Sequence, residues 1–410
     1  MRIFFSLFIL FTLCAESFAQ QSFNLSGYVR DKKGEVLPGT GIYVSGYKIA
    51  TATNNDGSYI LNLKPGNYDI LVQLMGFKAV NKNIVITDKS VKLDFVLEES
   101  VTQLAEVTIK PDPNRENYIN LFKSYFIGTT PNAESCKILN PQVLRIDYNK
   151  EAGLLNVKTD EFLIIENKAL GYKIKYLIND FLYDYNSRII YNEGYPTYED
   201  LPGSSGKKKK WAEKRLEAYN GSAQHFFTSL FNNNSFEEGF VINKLIRKPN
   251  PERPPDSTIR ANIKRLTQAQ TGITGTLRIN LHGQDSLSYW IAKKNLPQGI
   301  SILSRVQISP DTLVHQFNQN IKSINFSDVL YVIYTKEREH DAFANRIGQS
   351  IARPLDMPNY QISLINLSIR PVYFYKNGCV YNPKSMLYEG YWAWEKVADS
   401  VPMDYLPPPK

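Results

Sequence analysis

The densest set of side chains able to touch a ligand lies near the end of the chain, in L-Y-E-G-Y-W-A-W-E, Leu387 to Glu395. Read as one strand, its alternation puts Tyr388, Trp392 and Trp394 on one face and Glu389, Tyr391 and Glu395 on the other. Aromatic faces beside carboxylates make a sugar platform, with ring C–H groups on the π surface and hydroxyls on the carboxylates. Packing into a core is the competing use of such rings. A second feature is the run Lys207, Lys208, Lys209, Lys210. Positive charge at the start of a helix opposes the macrodipole, so the run reads either as a solvated loop-to-helix junction or as a contact for an anionic surface.

Other reactive types occur without the spacing that catalysis needs. His225, His282, His315 and His340 form no H-E-x-x-H or H-x-x-E pair for zinc. His340 lies among Glu337, Glu339 and Asp341 with no repeated ligand spacing, a charged turn. Glu237-Glu238 and Glu199-Asp200 are chain neighbours, which does not set two carboxyls across a substrate. Ser204 and Ser205 stand in G-S-S-G rather than a G-x-S-x-G elbow, and no glycine-rich phosphate loop is present. No catalytic residue, metal ligand or cofactor is therefore expected.

Met1 to Ala19 carries one early cation, Arg2, an apolar run from Ile3 to Leu13, and Ser17 and Ala19 at the small-residue positions of a signal peptide. Cleavage after Ala19 and export are expected, to the periplasm or the outer membrane. The run is shorter than the roughly 20 residues of a spanning helix, and bulky Leu13 before Cys14 argues against lipid attachment. The terminal Leu406-Pro407-Pro408-Pro409-Lys410 lacks the donors of a closing barrel strand. Export leaves Cys136 and Cys379 where disulfides form; they either pair or stay as separate buried thiols.

The chain has 410 residues, 43% of them hydrophobic, and a net charge of +8. That composition buries a substantial core and makes more than one domain. The charge favours anionic surfaces such as lipid headgroups or envelope polymers. Nucleic acid is not an expected partner, because no basic stripe accompanies a binding motif.

The elements that must position these groups begin with strand-like runs separated by Lys33-Gly34, Pro38-Gly39, Asp56-Gly57 and Pro65-Gly66, the pattern of short antiparallel strands. G-Y-V-R-D-K-K-G-E-V-L-P-G, T-N-N-D-G-S-Y, L-K-P-G-N-Y-D-I and M-G-F resemble the carboxypeptidase-like regulatory domain. The resemblance implies a seven-stranded transthyretin-like β-sandwich over residues 20–98. Such domains precede the plug of TonB-dependent glycan receptors, where a segment like L-A-E-V-T-I, Leu104 to Ile109, follows the sandwich. Here no plug or long barrel follows. The same domain is an accessory in zinc carboxypeptidases, whose catalytic motif is missing from this sequence.

After a linker at 99–115 marked by Pro111-Asp112-Pro113, residues 116–410 read as a larger α+β, mostly antiparallel domain. Gln142 to Tyr148, Glu161 to Glu166, Tyr172 to Ile178 and Asp328 to Tyr334 have strand length and composition. Trp211, Arg215, Tyr219, Ala223, Phe226 and Leu230 recur at helical spacing, which predicts one long amphipathic helix from Lys207 to about Phe231, capped by Ser204 or Ser205. Pro249 to Pro255 reads as a long surface loop. This region resembles the C-terminal portion of exported Gram-negative proteins that carry the same sandwich, a likeness that brings no activity with it. The expected function is a non-enzymatic cell-envelope binding or scaffold protein whose sandwich presents a larger domain to a protein, polysaccharide or cell-wall polymer partner. The alternatives are a glycan or peptidoglycan hydrolase whose carboxylates meet only in the fold, and an accessory of a TonB-dependent importer.

Overall fold

The computed structural model describes residues 22–100, 113–271, 286–345 and 351–408. The leader, Leu104 to Ile109 and His282 lie outside the described residues.

The first unit is a sandwich of short strands: β1 (Phe23–Asp31), β2 (Gly41–Val44), β3 (Ala50–Ala52), β4 (Ser58–Leu63), β5 (Gly66–Gln73), β6 (Val80–Ile86), β7 (Val91–Lys92) and β8 (Phe95–Leu97). One sheet is built on β1, with β4 antiparallel along one edge and β7 and β8 parallel along it in two pieces; the other runs β3-β2-β5-β6. The resemblance implied seven strands, and the described residues show eight segments because β7 and β8 lie end to end, interrupted where Asp94 Oδ1 accepts from Tyr28 N–H at 2.8 Å. Alternation fills the core with Tyr59, Leu61 and Leu63 from β4 and Tyr68, Ile70 and Val72 from β5. Leu71 breaks the alternation and is buried as well, because the outer face of β5 is also covered.

Helix α1 (Arg115–Phe126) and the short α2 (Pro131–Glu134) lead into β9 (Cys136–Ile138), β10 (Arg145–Asn149), β11 (Leu154–Lys158), β12 (Leu163–Asn167), β13 (Tyr172–Asp184) and β14 (Ile190–Asp200). The long β13 pairs β12 along its first half and β11 along its second, while β14 runs antiparallel along its other edge. Phe122 and Phe126 of α1 pack on this sheet against Phe181 and Tyr176, with ring centroids 5.0 and 4.9 Å apart.

The rest comprises α3 (Ser205–Tyr219), α4 (Ala223–Asn232), β15 (Phe240–Pro249), α5 (Asp256–Thr271), α6 (Leu287–Asn295), β16 (Gly299–Ser304), β17 (Val314–Asn318), β18 (Ile321–Ile324), β19 (Val329–Arg338), α7 (Asp341–Ala344), β20 (Tyr360–Leu367), β21 (Val372–Tyr375), β22 (Met386–Gly390) and α8 (Tyr391–Trp394). A sheet ordered β16-β15-β19-β20-β22 and a smaller one, β17-β18-β21, enclose a separate core with Phe226, Phe240 and Trp392 at its centre. The chain then returns to the earlier core, where Val397, Ala398 and Val401 are buried.

Two expectations about elements are corrected. The single helix from Lys207 to Phe231 is two helices, broken at Asn220-Gly221-Ser222. Gly221 has φ +72°, a left-handed conformation that ends a helix, and Ser222 caps α4 by accepting from His225 N–H. The spacing continues across the break because two cores are served: Trp211 and Arg215 bond the carbonyls of Lys168 and Leu170 beside the first sheet, while Phe226 and Leu230 enter the second core. Ser204 occupies the cap position of α3 without a side-chain bond. Likewise, Leu387 to Glu395 is not one strand: β22 ends at Gly390, φ +79°, and α8 follows. Pro249 to Pro255 does connect elements on the surface, pinned by Arg253 Nε donating to Leu296 O at 2.8 Å.

Candidate functional site

The sandwich is fastened to the first large sheet and to the end of the chain by main-chain hydrogen bonds. Gly46 N–H donates to Pro196 O, Tyr198 N–H to Tyr47 O, and Met403 N–H to Gly46 O, at 2.6, 3.2 and 2.7 Å. Asn377, in the turn after β21, donates to the Tyr47 hydroxyl at 2.7 Å, and Lys48 pairs with Asp200 at 3.1 Å. A cleft of about 420 Å³ opens where these pieces meet. Its walls are Ile190, Tyr191 and Tyr198 from β14, Met386, Leu387 and Tyr388 from β22, then Trp392, and Gly46 and Met403 at the seam. The surface is mainly apolar, with Asn192, Gln224, Lys396 and Ser400 as its polar points. That size and composition fit a binding cleft, apolar with a few placed polar groups.

The rings are held from behind. Trp392 Nε1 donates to Gly221 O at 2.6 Å, and its ring lies 5.2 Å from Phe226 and 5.6 Å from Tyr388, the latter edge-on. Tyr198 and Ser400 hydroxyls are 2.9 Å apart. Burial pushes the Tyr198 phenol up to about 12 and Tyr388 higher still, so both stay neutral. The Cys379 thiol, also on the wall, is pushed up to about 12 by burial, which removes it as a nucleophile near neutrality.

The residues singled out from sequence separate into different roles. Tyr388 and Trp392 come together in this cleft, whereas Trp394 is buried elsewhere against Phe343 and Tyr391. The open platform is thus corrected: Trp392 and Trp394 are 7% and 4% exposed, because the helical turn α8 tucks both rings inward. Glu389 points away, paired with Arg247 at 2.8 Å and accepting from Asn366 at 2.7 Å. Glu395 is held protonated to well above the ordinary range by burial and by the neighbouring Asp399 and Glu337. Lys207, Lys208, Lys209 and Lys210 stand exposed on the first turns of α3. Of the two arrangements left open for the cysteines, the structure has them separate and free: Cys136 is buried in the first core and Cys379 sits in the turn beyond β21.

The charged turn around His340 has separate structural duties. His340 Nδ1 caps α7 by accepting from Ala342 N–H, Glu339 pairs with Arg353 at 2.8 Å, and Glu337 accepts from Gln361 at 3.0 Å. Glu238 meets His225 at 3.3 Å, whose Nδ1 accepts from Gly221 N–H, leaving the ring proton on Nε2 toward the carboxylate. Among the described residues no group of three or more His, Cys, Asp or Glu side chains is placed to hold a metal ion. Sequence reasoning missed Asp399, a buried carboxylate that accepts from Thr130 and Asn132 at 3.0 Å. Its side-chain partners lie far back in the chain, and the one near neighbour is Lys396, whose N–H donates to it at 3.3 Å. Burial raises it to about 6 against those hydrogen bonds.

Among solved structures, a chlorocatechol 1,2-dioxygenase from Pseudomonas putida is 15% identical at a TM-score of 0.17, covering 19% of this chain. The chain spans only 61% of that dioxygenase's length. DUF3823 family proteins from Bacteroides ovatus and Parabacteroides merdae are 11% and 15% identical at TM-scores of 0.17 and 0.16. They cover 45% and 46% of this chain and 83% of their own lengths. No curated protein matches. Residues 25–109 match the family model for the CarboxypepD_reg-like domain, and the sandwich built on β1 is the part of the chain similar to that domain.

Proposed function

We propose that this is an exported, non-enzymatic envelope protein in which the CarboxypepD_reg-like sandwich buttresses a larger domain that binds a partner through the aromatic cleft. The observation that carries the reading is the seam: the sandwich is hydrogen-bonded through its main chain to the sheet and tail that line the cleft. A fixed module of this kind sets the shape of a binding surface. The apolar wall of Met386, Tyr388 and Met403 suits an apolar segment of an envelope protein, with rings and thioethers adapting to its side chains. The hydrolase alternative loses ground on placement, since Glu337, Glu395 and Asp399 influence one another but do not line this cleft.

The test is in-cell crosslinking of the tagged mature protein followed by mass spectrometry. A stoichiometric envelope protein, lost when Tyr388→Ala and Met403→Glu open and charge the cleft, is the expected result. Recovery of the protein alone, or capture indifferent to both substitutions, overturns it. A TonB-dependent receptor in the capture would make the protein an importer accessory.

A further inference from the structure

We propose that the other cleft of the seam, between the sandwich and the first large sheet, is a carbohydrate-binding site that takes a short stretch of hydroxyl-rich glycan. It encloses about 480 Å³, inside the ~300–1,000 Å³ range of small-molecule sites.

Its chemistry selects a ligand whose groups both donate and accept. Lys78 and Lys158 are donors only, Asp160 is an acceptor only, and the Asn81 and Asn179 amides are both. Lys78 reaches Glu98 at 3.5 Å and Lys158 reaches Asp180 at 3.9 Å, loose exposed pairs that leave ammonium donors for a ligand. Asp160, held by Arg145, opposes an anion, and the two lysines oppose a cation. A neutral polyol meets all of them. Phe77 and Tyr195 line the cleft with ring surface for the C–H faces of a sugar, over the buried Leu71.

Two features show that the cleft is built rather than left over. Asn81 Oδ1 is buried without a hydrogen-bond partner, and Tyr195 lines the same cleft. A buried acceptor is costly to leave unmet, and a sugar hydroxyl supplies the missing donor. On the opposite wall, β13 carries a bulge: Ile178 pairs Gly194 and Asp180 pairs Glu193, so Asn179 is an extra residue. Such bulges re-aim a side chain, and Asn179 lines the cleft with its Nδ2 fixed on Glu193 at 3.1 Å and its carbonyl left for a ligand. A side chain at Gly194 would come within 2.4 Å of Leu177 O, so the tight approach at this point is written into the sequence.

The test is saturation-transfer NMR on the full mature chain with maltohexaose, cellohexaose, chitohexaose and mannohexaose as probes. Transfer to ring protons of at least one probe is expected, with affinity falling tenfold or more in Asn179→Ala and in Asp160→Asn and staying unchanged in Tyr388→Ala. Asn179 is exposed, so its variant keeps the fold even where Asp160→Asn does not. No transfer from any probe at millimolar concentration overturns the proposal, as does transfer indifferent to both cleft variants. Displacement of a bound probe by equimolar inorganic phosphate also overturns it, by showing that the lysines alone make an anion site. Because Tyr388→Ala acts on the aromatic cleft only, failure here leaves the envelope-protein reading to be judged separately.

Discussion

Neutralising Glu337 should make the fold less sensitive to alkaline pH. Its carboxyl sits beside Gln361 and is raised to about 7, mainly by burial, with the Glu217 charge adding to the rise and hydrogen bonds from Gln361 and Asn220 opposing it. A group raised in the folded state contributes its stability below the unfolded value of 4.5 and loses it as pH climbs through about 7. Moving a carboxyl over that interval corresponds to ~3 kcal/mol, discounted to about 2 kcal/mol because water reaches part of the group. Glu395 and Asp399 are displaced in the same direction, so the wild-type protein should lose stability steadily between pH 4 and 8. Glu337→Gln keeps the size and the amide contact and removes the proton. Urea unfolding at pH 4.5 and pH 8 should show the variant gaining about 2 kcal/mol relative to wild type at the higher pH compared with the lower. The gain includes relief of Glu395, which feels the Glu337 charge. Parallel pH profiles for the two proteins would refute the buried-carboxylate argument outright.

Three further outcomes are expected. Gly221→Ala should destabilise by about 1–3 kcal/mol in the same unfolding assay, since a left-handed Ala is strained and its Cβ would fall 2.5 Å from Gln361 Oε1 and 2.6 Å from Tyr334; an unchanged midpoint would show that the helix break yields freely. Denatured, unreduced mature protein should titrate with a thiol reagent at both Cys136 and Cys379, and no titratable thiol would restore the bridge. Changing Lys207, Lys208, Lys209 and Lys210 together to Gln should weaken binding to phosphatidylglycerol vesicles by tenfold or more, as each lysine near an anionic surface contributes about 1 kcal/mol; undiminished vesicle binding would return the run to a solvated helix start.

What could be read from sequence was whatever depends on near neighbours in the chain. Turn pairs and alternation in Tyr68, Ile70 and Val72 specify the sandwich, Tyr172 to Ile178 falls inside β13, and Asp328 to Tyr334 coincides with β19 from its second residue on. Ile259, Ile263 and Leu266 of α5 also carry helical spacing and pack on Trp290, so that helix too is legible, directly after Pro249 to Pro255. The break at Gly221 was masked because apolar spacing persists through it even though the two halves face different cores. The aromatic run failed for a different reason. Gly390 takes a conformation open to glycine and ends the strand, so Trp392 and Trp394 leave the face that alternation gave them. Neither cleft was legible, because each joins a wall from the sandwich to walls from strands far later in the chain.

The burial of Leu71 shows that the sandwich is docked on the first large sheet rather than standing apart from it. In a freely tethered sandwich the outward residues of β5 would meet water, and Asp69 does. Leu71 is instead 1% exposed and lines the polar cleft, two residues before Gln73 donates to Asp160 O across the seam. Tyr43 extends the same contact, its ring edge-on to Phe162 at 5.1 Å. An apolar side chain on an outer face is retained where that face is covered, so this sequence carries the docking of the sandwich in its own pattern. The polar cleft has its sandwich wall in Leu71, Phe77, Lys78 and Asn81, and the aromatic cleft has Gly46 at its edge. Removing the sandwich would therefore strip one wall from the first and the seam residue from the second, which makes the relative placement of the two units, and not either unit alone, what shapes both clefts.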